Sequence, residues 1–242
     1  MATAEAAPLL PRERALKDAN DEVRQGFVRK VYGILSVQLL LTVAIAAPIV
    51  RMSKEQVASN QWMLFVATGV LIVTMLTTCC CSDLLRKFPT NYAILFALTL
   101  GMSVVVGFTS AMYTWQSVAL AAGITAVIFV GMTIFAWTTK IDFTGYGLYL
   151  FAAMMTLMAF SLTISVMCMF VGAGNIKWMI MFYDFCAVLL FTFYIVFDTQ
   201  LMLGGSHAVQ LGIDDYCFAA LNLYLDIVNL FLHLLSLLGE RR

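Results

Sequence analysis

Charge is the scarcest commodity in this chain. Asp, Glu, Lys and Arg make up 12% of its 242 residues, against roughly 25% in an ordinary soluble domain. Hydrophobic residues make up 62%, against ~45–50%. So few polar groups cannot cover a core in water, and lipid is the solvent that tolerates such a surface. The 14 basic residues balance the 14 acidic ones, which removes any bulk electrostatic case for nucleic acid. Histidine occurs only at His207 and His233, too few for a histidine-based metal centre. No P-loop is present: Gly204-Gly205-Ser206 lacks both the spacing and the lysine. The cysteines at 79, 80, 81, 168, 186 and 217 form neither a spaced disulfide framework nor paired CxxC zinc ligands. They read as small apolar packing residues, with palmitoylation of the Cys79–Cys81 run as the alternative. No internal repeat and no low-complexity tract stands out.

What is abundant is long apolar sequence. A helix needs ~20 apolar residues to cross a ~30 Å hydrocarbon core. Seven stretches qualify: Val31–Val50, Trp62–Cys81, Tyr92–Met112, Ser117–Trp137, Tyr146–Val171, Ile176–Leu203 and Tyr216–Leu238. They are continuous runs, unlike the ~10-residue alternating segments of a membrane barrel. Helices satisfy their own backbone hydrogen bonds in lipid. The expected fold is therefore an all-α membrane protein, a bundle of seven transmembrane helices. Residues 1–26, charged and Pro-containing without an apolar signal region, read as a mobile cytosolic tail ahead of one transmembrane domain, 27–242.

Orientation follows the basic residues. Arg12, Arg14, Lys17, Arg24, Arg29, Lys30, Arg86, Lys87 and Lys140 fall on the side of the N-terminus. Arg51, Lys54, Lys177, Arg241 and Arg242 fall on the other. Nine against five favours a cytosolic N-terminus. A re-entrant last span would put both termini on that side, and the sequence leaves the two arrangements open.

Ionisable groups inside a bilayer cost ~2.5–3.5 kcal/mol each near the helix centre on insertion scales, so they are functional candidates. Spans 1 to 5 hold none; spans 6 and 7 hold Asp184, Asp198, Asp226 and His233, besides Lys177 at the very start of span 6, where it can snorkel to the interface. Asn222, Asp226, Asn229 and His233 are separated by four, three and four residues and share one face of span 7. That stripe should face protein or a water-filled path. Asp184 and Asp198 are fourteen residues apart, so they point within ~40° of each other, ~21 Å apart along the axis. If both spans cross, they are antiparallel. Asp198 then lies ~9 Å before Gly204 and Asp226 ~15 Å after Tyr216, at similar depth. Two close carboxylates can share a proton and act as a pH-sensitive latch. Fully ionised, they repel each other and can attract a hard cation such as Ca²⁺.

Blander readings stand beside these. Asp198 suits an interfacial position near a helix end, and Asp184 suits the positive N-terminal end of span 6. Asp226 reads equally as a buried interhelical hydrogen-bonder and His233 as a satisfied packing residue. Asn222 and Asn229 read as interhelical hydrogen-bonders. Enzyme chemistry is not expected. An intramembrane diaspartyl protease would need a flanking glycine motif that Phe197-Asp198-Thr199 and Leu225-Asp226-Ile227 lack. A seven-helix receptor fits poorly, since its long extramembrane loops are missing. No cofactor is implied.

Three segments carry a family resemblance. The segment Phe27-Val28-Arg29-Lys30-Val31-Tyr32-Gly33-Ile34-Leu35-Ser36-Val37-Gln38-Leu39-Leu40 resembles the beginning of the first span in the transmembrane Bax inhibitor motif family, closest to its Lifeguard (Golgi anti-apoptotic) branch. Lys87-Phe88-Pro89-Thr90-Asn91 resembles that branch's basic loop before span 3. Tyr224-Leu225-Asp226-Ile227-Val228-Asn229-Leu230-Phe231-Leu232-His233-Leu234-Leu235, with the upstream Phe197-Asp198-Thr199, is the most specific match. The resemblance implies a bundle with the C-terminal helix central and residence in Golgi or endoplasmic reticulum membranes. It implies Ca²⁺ leak conductance, restraint of apoptosis and a pH-responsive pair at Asp198 and Asp226, with Arg86 the nearest basic residue to pair with them. Self-association or binding to other membrane proteins is the expected route if the protein does not conduct. The chain departs from the family at Ala97-Leu98-Thr99-Leu100-Gly101-Met102-Ser103, where related members carry a glutamate, and in a longer loop between spans 6 and 7.

Overall fold

In lipid the backbone must satisfy its own donors and acceptors, and every long apolar run here closes into a helix. The computed structural model describes residues 21–80, 87–172, 174–204 and 211–242. The helices are α1 (Asp21–Val50), α2 (Lys54–Ser59), α3 (Gln61–Cys80), α4 (Thr90–Ser110), α5 (Trp115–Thr138), α6 (Gly147–Val171), α7 (Lys177–Leu203) and α8 (Tyr216–Leu238). A 3-10 turn, Thr144–Tyr146, leads into α6. Seven of these helices, all but α2, are long and apolar enough to cross a membrane.

The spans begin and end within two residues of the sequence expectation, with one correction. α1 starts at Asp21, ten residues before Val31, so residues 21–26 of the expected tail are helix. The first turns carry Asp21, Glu22 and Arg24, which hydropathy alone assigns to water. At 30 residues α1 is ~45 Å long, more than the ~30 Å core requires, so a charged end can project beyond it. Residues 1–20, Arg86 and His207 lie outside the described residues.

Local sequence explains the stops. Pro48, lacking an N–H, sits in the last turn of α1, which ends at Val50. Ser53 and Gln56 form a reciprocal capping box that starts α2. α7 ends at Gly204, whose φ of +63° suits a residue without Cβ.

α8 packs against α1, α4, α5 and α7. It runs parallel to α1. Lys30 near the start of α1 lies over the Tyr216 ring at the start of α8, 3.2 Å from the centroid. At the other end, Arg242 Nη1 donates to the Met52 carbonyl over 3.3 Å. With 23 residues, ~34 Å, α8 has the length of a full crossing. Its position agrees with the expected central C-terminal helix, but α4 shares the centre. Within their most apolar 18-residue stretches, 50% of α8 is buried against 61% of α4, which packs on α1, α3 and α8. Close approach explains part of this. A Cβ on Gly107 would stand 2.9 Å from Ile49 Cβ and 3.2 Å from Ala46 Cα, so only glycine lets α4 lie this near α1. α6 is peripheral and packs mainly on α7.

Candidate functional site at the α7–α8 interface

α7 and α8 are antiparallel, and their facing sides carry two polar centres at different depths. The first joins Asp198, 7% exposed, to Asp226, 5% exposed. Their carboxyl groups face each other across the interface, and Asn222 stands beside Asp198. Tyr194 stands near both carboxylates. Asp226 Oδ2 is buried without a donor. A carboxylate only accepts hydrogen bonds, so two ionised carboxylates cannot satisfy each other.

The second centre is built on Asp184, 3% exposed. Its Oδ1 lies 2.8 Å from His233 Nδ1, and its Oδ2 accepts from Ser236 Oγ over 2.5 Å. The imidazole stacks on Phe191 at 5.8 Å and meets Tyr183 edge-on at 5.4 Å. Serine here donates to the aspartate and not to the histidine, so its hydroxyl is not activated as in a nucleophilic triad.

An apolar layer lies between the two centres. Ala187, Phe191 and Ile195 of α7 and Leu230 of α8 pack in one buried cluster. Fourteen residues of α7 separate Asp184 from Asp198, ~21 Å. The two centres are thus joined along one interface but separated from each other by an apolar segment.

A third polar element braces α1, α4 and α8. Tyr224, fully buried, shares a 2.8 Å hydrogen bond with Thr42 Oγ1, and Ser103 Oγ donates to the same oxygen over 3.3 Å. One turn away Gln38 Nε2 donates to Thr99 Oγ1 over 3.0 Å. Beside the first centre, buried Gln200 ties the end of α7 to the α5–α6 connection. Its Oε1 accepts from Phe143 N–H over 2.7 Å and its Nε2 donates to the Ile141 carbonyl over 2.9 Å.

The family described as Inhibitor of apoptosis-promoting Bax1 (Bax1-I) matches residues 24–242. The chain belongs to this family. Protein lifeguard 3 of Mus musculus is 38% identical over 224 residues, covering 91% of this chain and 71% of the relative. Protein lifeguard 3 of Homo sapiens is 36% identical over 240 residues, 95% and 75% of the two chains. Protein LIFEGUARD 2 of Arabidopsis thaliana is 34% identical over 236 residues, 96% and 92%. The chain is thus a multi-pass, all-helical membrane protein of a family of cell-death regulators.

Within this Bax1-I member, the expected site residues separate into two groups. Asp198, Asp226 and Asn222 come together. Asp184 and His233 also come together, but with each other, ~10 Å or more along α8 from Asp226. Asp184 is not held by the N-terminal end of its own helix: it sits seven residues into α7 and takes both its donors from α8. His233 packs on Phe191 and Tyr183 with its Nδ1 against Asp184. Asn229 differs from expectation, since its Nδ2 donates 2.8 Å back to the Leu225 carbonyl of its own helix. Arg86, expected near the aspartate pair, lies outside the described residues. Ser236 was not anticipated, although it extends the α8 stripe by one further step of three. Gln38, Thr42, Thr99, Ser103 and Tyr224 were also missed as a network. Among the described residues four cysteines are free thiols, Cys80 exposed and Cys217 buried among them.

Proposed function

We propose that this protein is a Ca²⁺-permeable leak channel of Golgi or endoplasmic reticulum membranes, with a cytosolic N-terminus, whose Asp198–Asp226 pair closes the path when it holds a proton. Through the filling of Ca²⁺ stores it restrains apoptosis. The observation that carries the reading is the buried Asp226 Oδ2 without a donor, facing a second carboxyl group inside an apolar bundle. With one proton the pair is a hydrogen bond between α7 and α8; without it, two like charges push the helices apart. Closure therefore belongs to lower pH and conduction to higher pH. Ca²⁺ is the cargo in this scheme. It favours 6–8 oxygen ligands, and the described residues hold no cluster of three or more acidic, His or Cys ligands. Two carboxylates and an amide suit an ion in passage rather than one held in place.

The test is Ca²⁺ flux into proteoliposomes from purified protein across the neutral pH range. Flux should rise with pH in the parent protein and lose that dependence in Asp226→Asn. An Asp226→Asn variant that keeps the parent's pH profile overturns the latch.

The apolar layer of Ala187, Phe191, Ile195 and Leu230 favours a second reading: a non-conducting regulator that acts by binding other membrane proteins. A stable co-purifying membrane partner, together with no flux at any pH, decides for it.

A further inference from the structure

α1 and α5 each pack on α8, yet form no packed pair of their own among the described residues. The gap between them is a groove of about 590 Å³, within the ~300–1,000 Å³ of ligand clefts. Its rims are exposed residues, Val43 and Ala47 on α1 and Ala119, Ala122 and Ala126 on α5, so it opens sideways toward lipid. Its floor comes from α4 and α8, including Val106 and Val228.

The groove is polar at one end only. Ser110, 1% exposed, lines it there, and its Oγ is buried without a hydrogen-bond partner. A buried hydroxyl left unpaired costs ~1–3 kcal/mol, and the bundle's other polar side chains on this floor are engaged. Thr42 is bonded to Tyr224, and Thr125 donates to the Ala121 carbonyl. Arg51 lines the same end, exposed and without an ion pair among the described residues. Arg242 reaches the neighbouring Met52 carbonyl and adds a second guanidinium there. Trp115, a residue type that favours the headgroup level, stands opposite. A long apolar slot thus ends, among the described residues, in an unpaired hydroxyl donor and an unpaired cation, at the end where α1 stops.

We infer that this groove holds one anionic phospholipid, with an acyl chain between α1 and α5, an ester carbonyl accepting from Ser110 Oγ, and the phosphate and acidic headgroup at Arg51. A partner helix fits less well. It is 10–12 Å across with its side chains, and it would leave both Ser110 and Arg51 facing apolar surface. The site does not depend on the channel reading.

The test uses full-length protein in vesicles, with Trp62, Trp137 and Trp178 replaced by Phe so that Trp115 is the sole reporter. Acyl-brominated phosphatidylserine and phosphatidylcholine with the same chains serve as quenchers. The serine lipid should quench at about fivefold lower mole fraction, the value of one juxtamembrane cation. Arg51→Gln should bring the two lipids to parity. Ser110→Ala should weaken both alike, because the ester carbonyl is common to them. Ala122→Phe, on the exposed rim, should abolish the strong quenching, while Leu148→Phe, an exposed position on α6 away from this groove, leaves it intact. Parity of the two lipids in the parent protein overturns the proposal. So does strong quenching that survives Ala122→Phe, which assigns it to bulk lipid. Cross-linking of two copies through Ala122→Cys in the presence of the serine lipid also overturns it, since a second chain then covers the groove.

Discussion

His233 Nδ1 lies 2.8 Å from Asp184 Oδ1, and this contact pins the far half of α8 to α7. Ser236 completes the cap on the carboxylate. The pair should therefore behave as a unit in stability. Asp184→Asn and His233→Gln, measured singly and together by denaturant unfolding in detergent, should show a coupling of about 1.5 kcal/mol, the upper end of interhelical hydrogen bonds in membranes. Additive losses would mean that the contact contributes nothing beyond packing.

Asp198→Asn offers the donor that Asp226 Oδ2 lacks. The amide NH₂ imitates the protonated carboxyl at every pH. Basal Ca²⁺ flux of this variant should be low and flat across the neutral range, and its stability at the alkaline end should exceed the parent's. Raised flux would place the closing force elsewhere.

Ile195 is fully buried in the apolar layer between the two polar centres. Ile195→Ala should cost about 2 kcal/mol or more and should raise leak at every pH, because the truncation thins the barrier without touching a carboxylate. Loss of stability with unchanged leak would separate this layer from the path.

Gly107→Ala sets a methyl group against Ile49 and Ala46 and should destabilise the protein by roughly 1–3 kcal/mol. Gly123→Ala, which meets nothing within 4 Å, is the control and should cost little. Equal effects would show that α1–α4 proximity is not what Gly107 secures.

Orientation is checked by impermeant thiol labelling of single cysteines in a chain whose six native cysteines are serine. Lys140→Cys should label from the cytosolic side of intracellular vesicles and Lys54→Cys only after permeabilisation. The opposite pattern reverses the assigned N-terminus.

The spans were legible because length and continuous hydropathy leave few alternatives for a chain with 12% charge. Asp226 and His233 were legible too, since an ionisable group in an apolar run is conspicuous. Which acid meets which donor was not legible. Helical periodicity puts Asn222, Asp226, Asn229 and His233 on one face but says nothing about depth on the neighbour, and Asp184 went to the helix end instead of to α8. The Thr42–Ser103–Tyr224 brace was hidden for a different reason. A threonine in a membrane helix satisfies itself by donating to the carbonyl one turn back, as Thr68 does to Leu64 and Thr77 to Val73. Thr42 makes that same bond to Gln38 and still serves two other helices. Hydroxyls that brace a core and hydroxyls that face lipid therefore look alike in sequence. The burial of α4 was unreadable on similar grounds, because hydropathy does not say which apolar helix the others surround.

α8 is the last of the seven spans to leave the ribosome, yet it touches four of the other six. Synthesis proceeds from the N-terminus, so α1, α4, α5 and α7 must wait in the bilayer with a vacant seam between them. During that interval Tyr224 has not reached Thr42, and Asp184 has neither of its donors. The arrival of one helix closes the brace, caps Asp184 and brings Asp226 to Asp198 in the same event. Biogenesis of this protein is thereby a single late commitment, and a chain stopped before Tyr216 would present the cell's membrane quality control with an open, acid-lined seam.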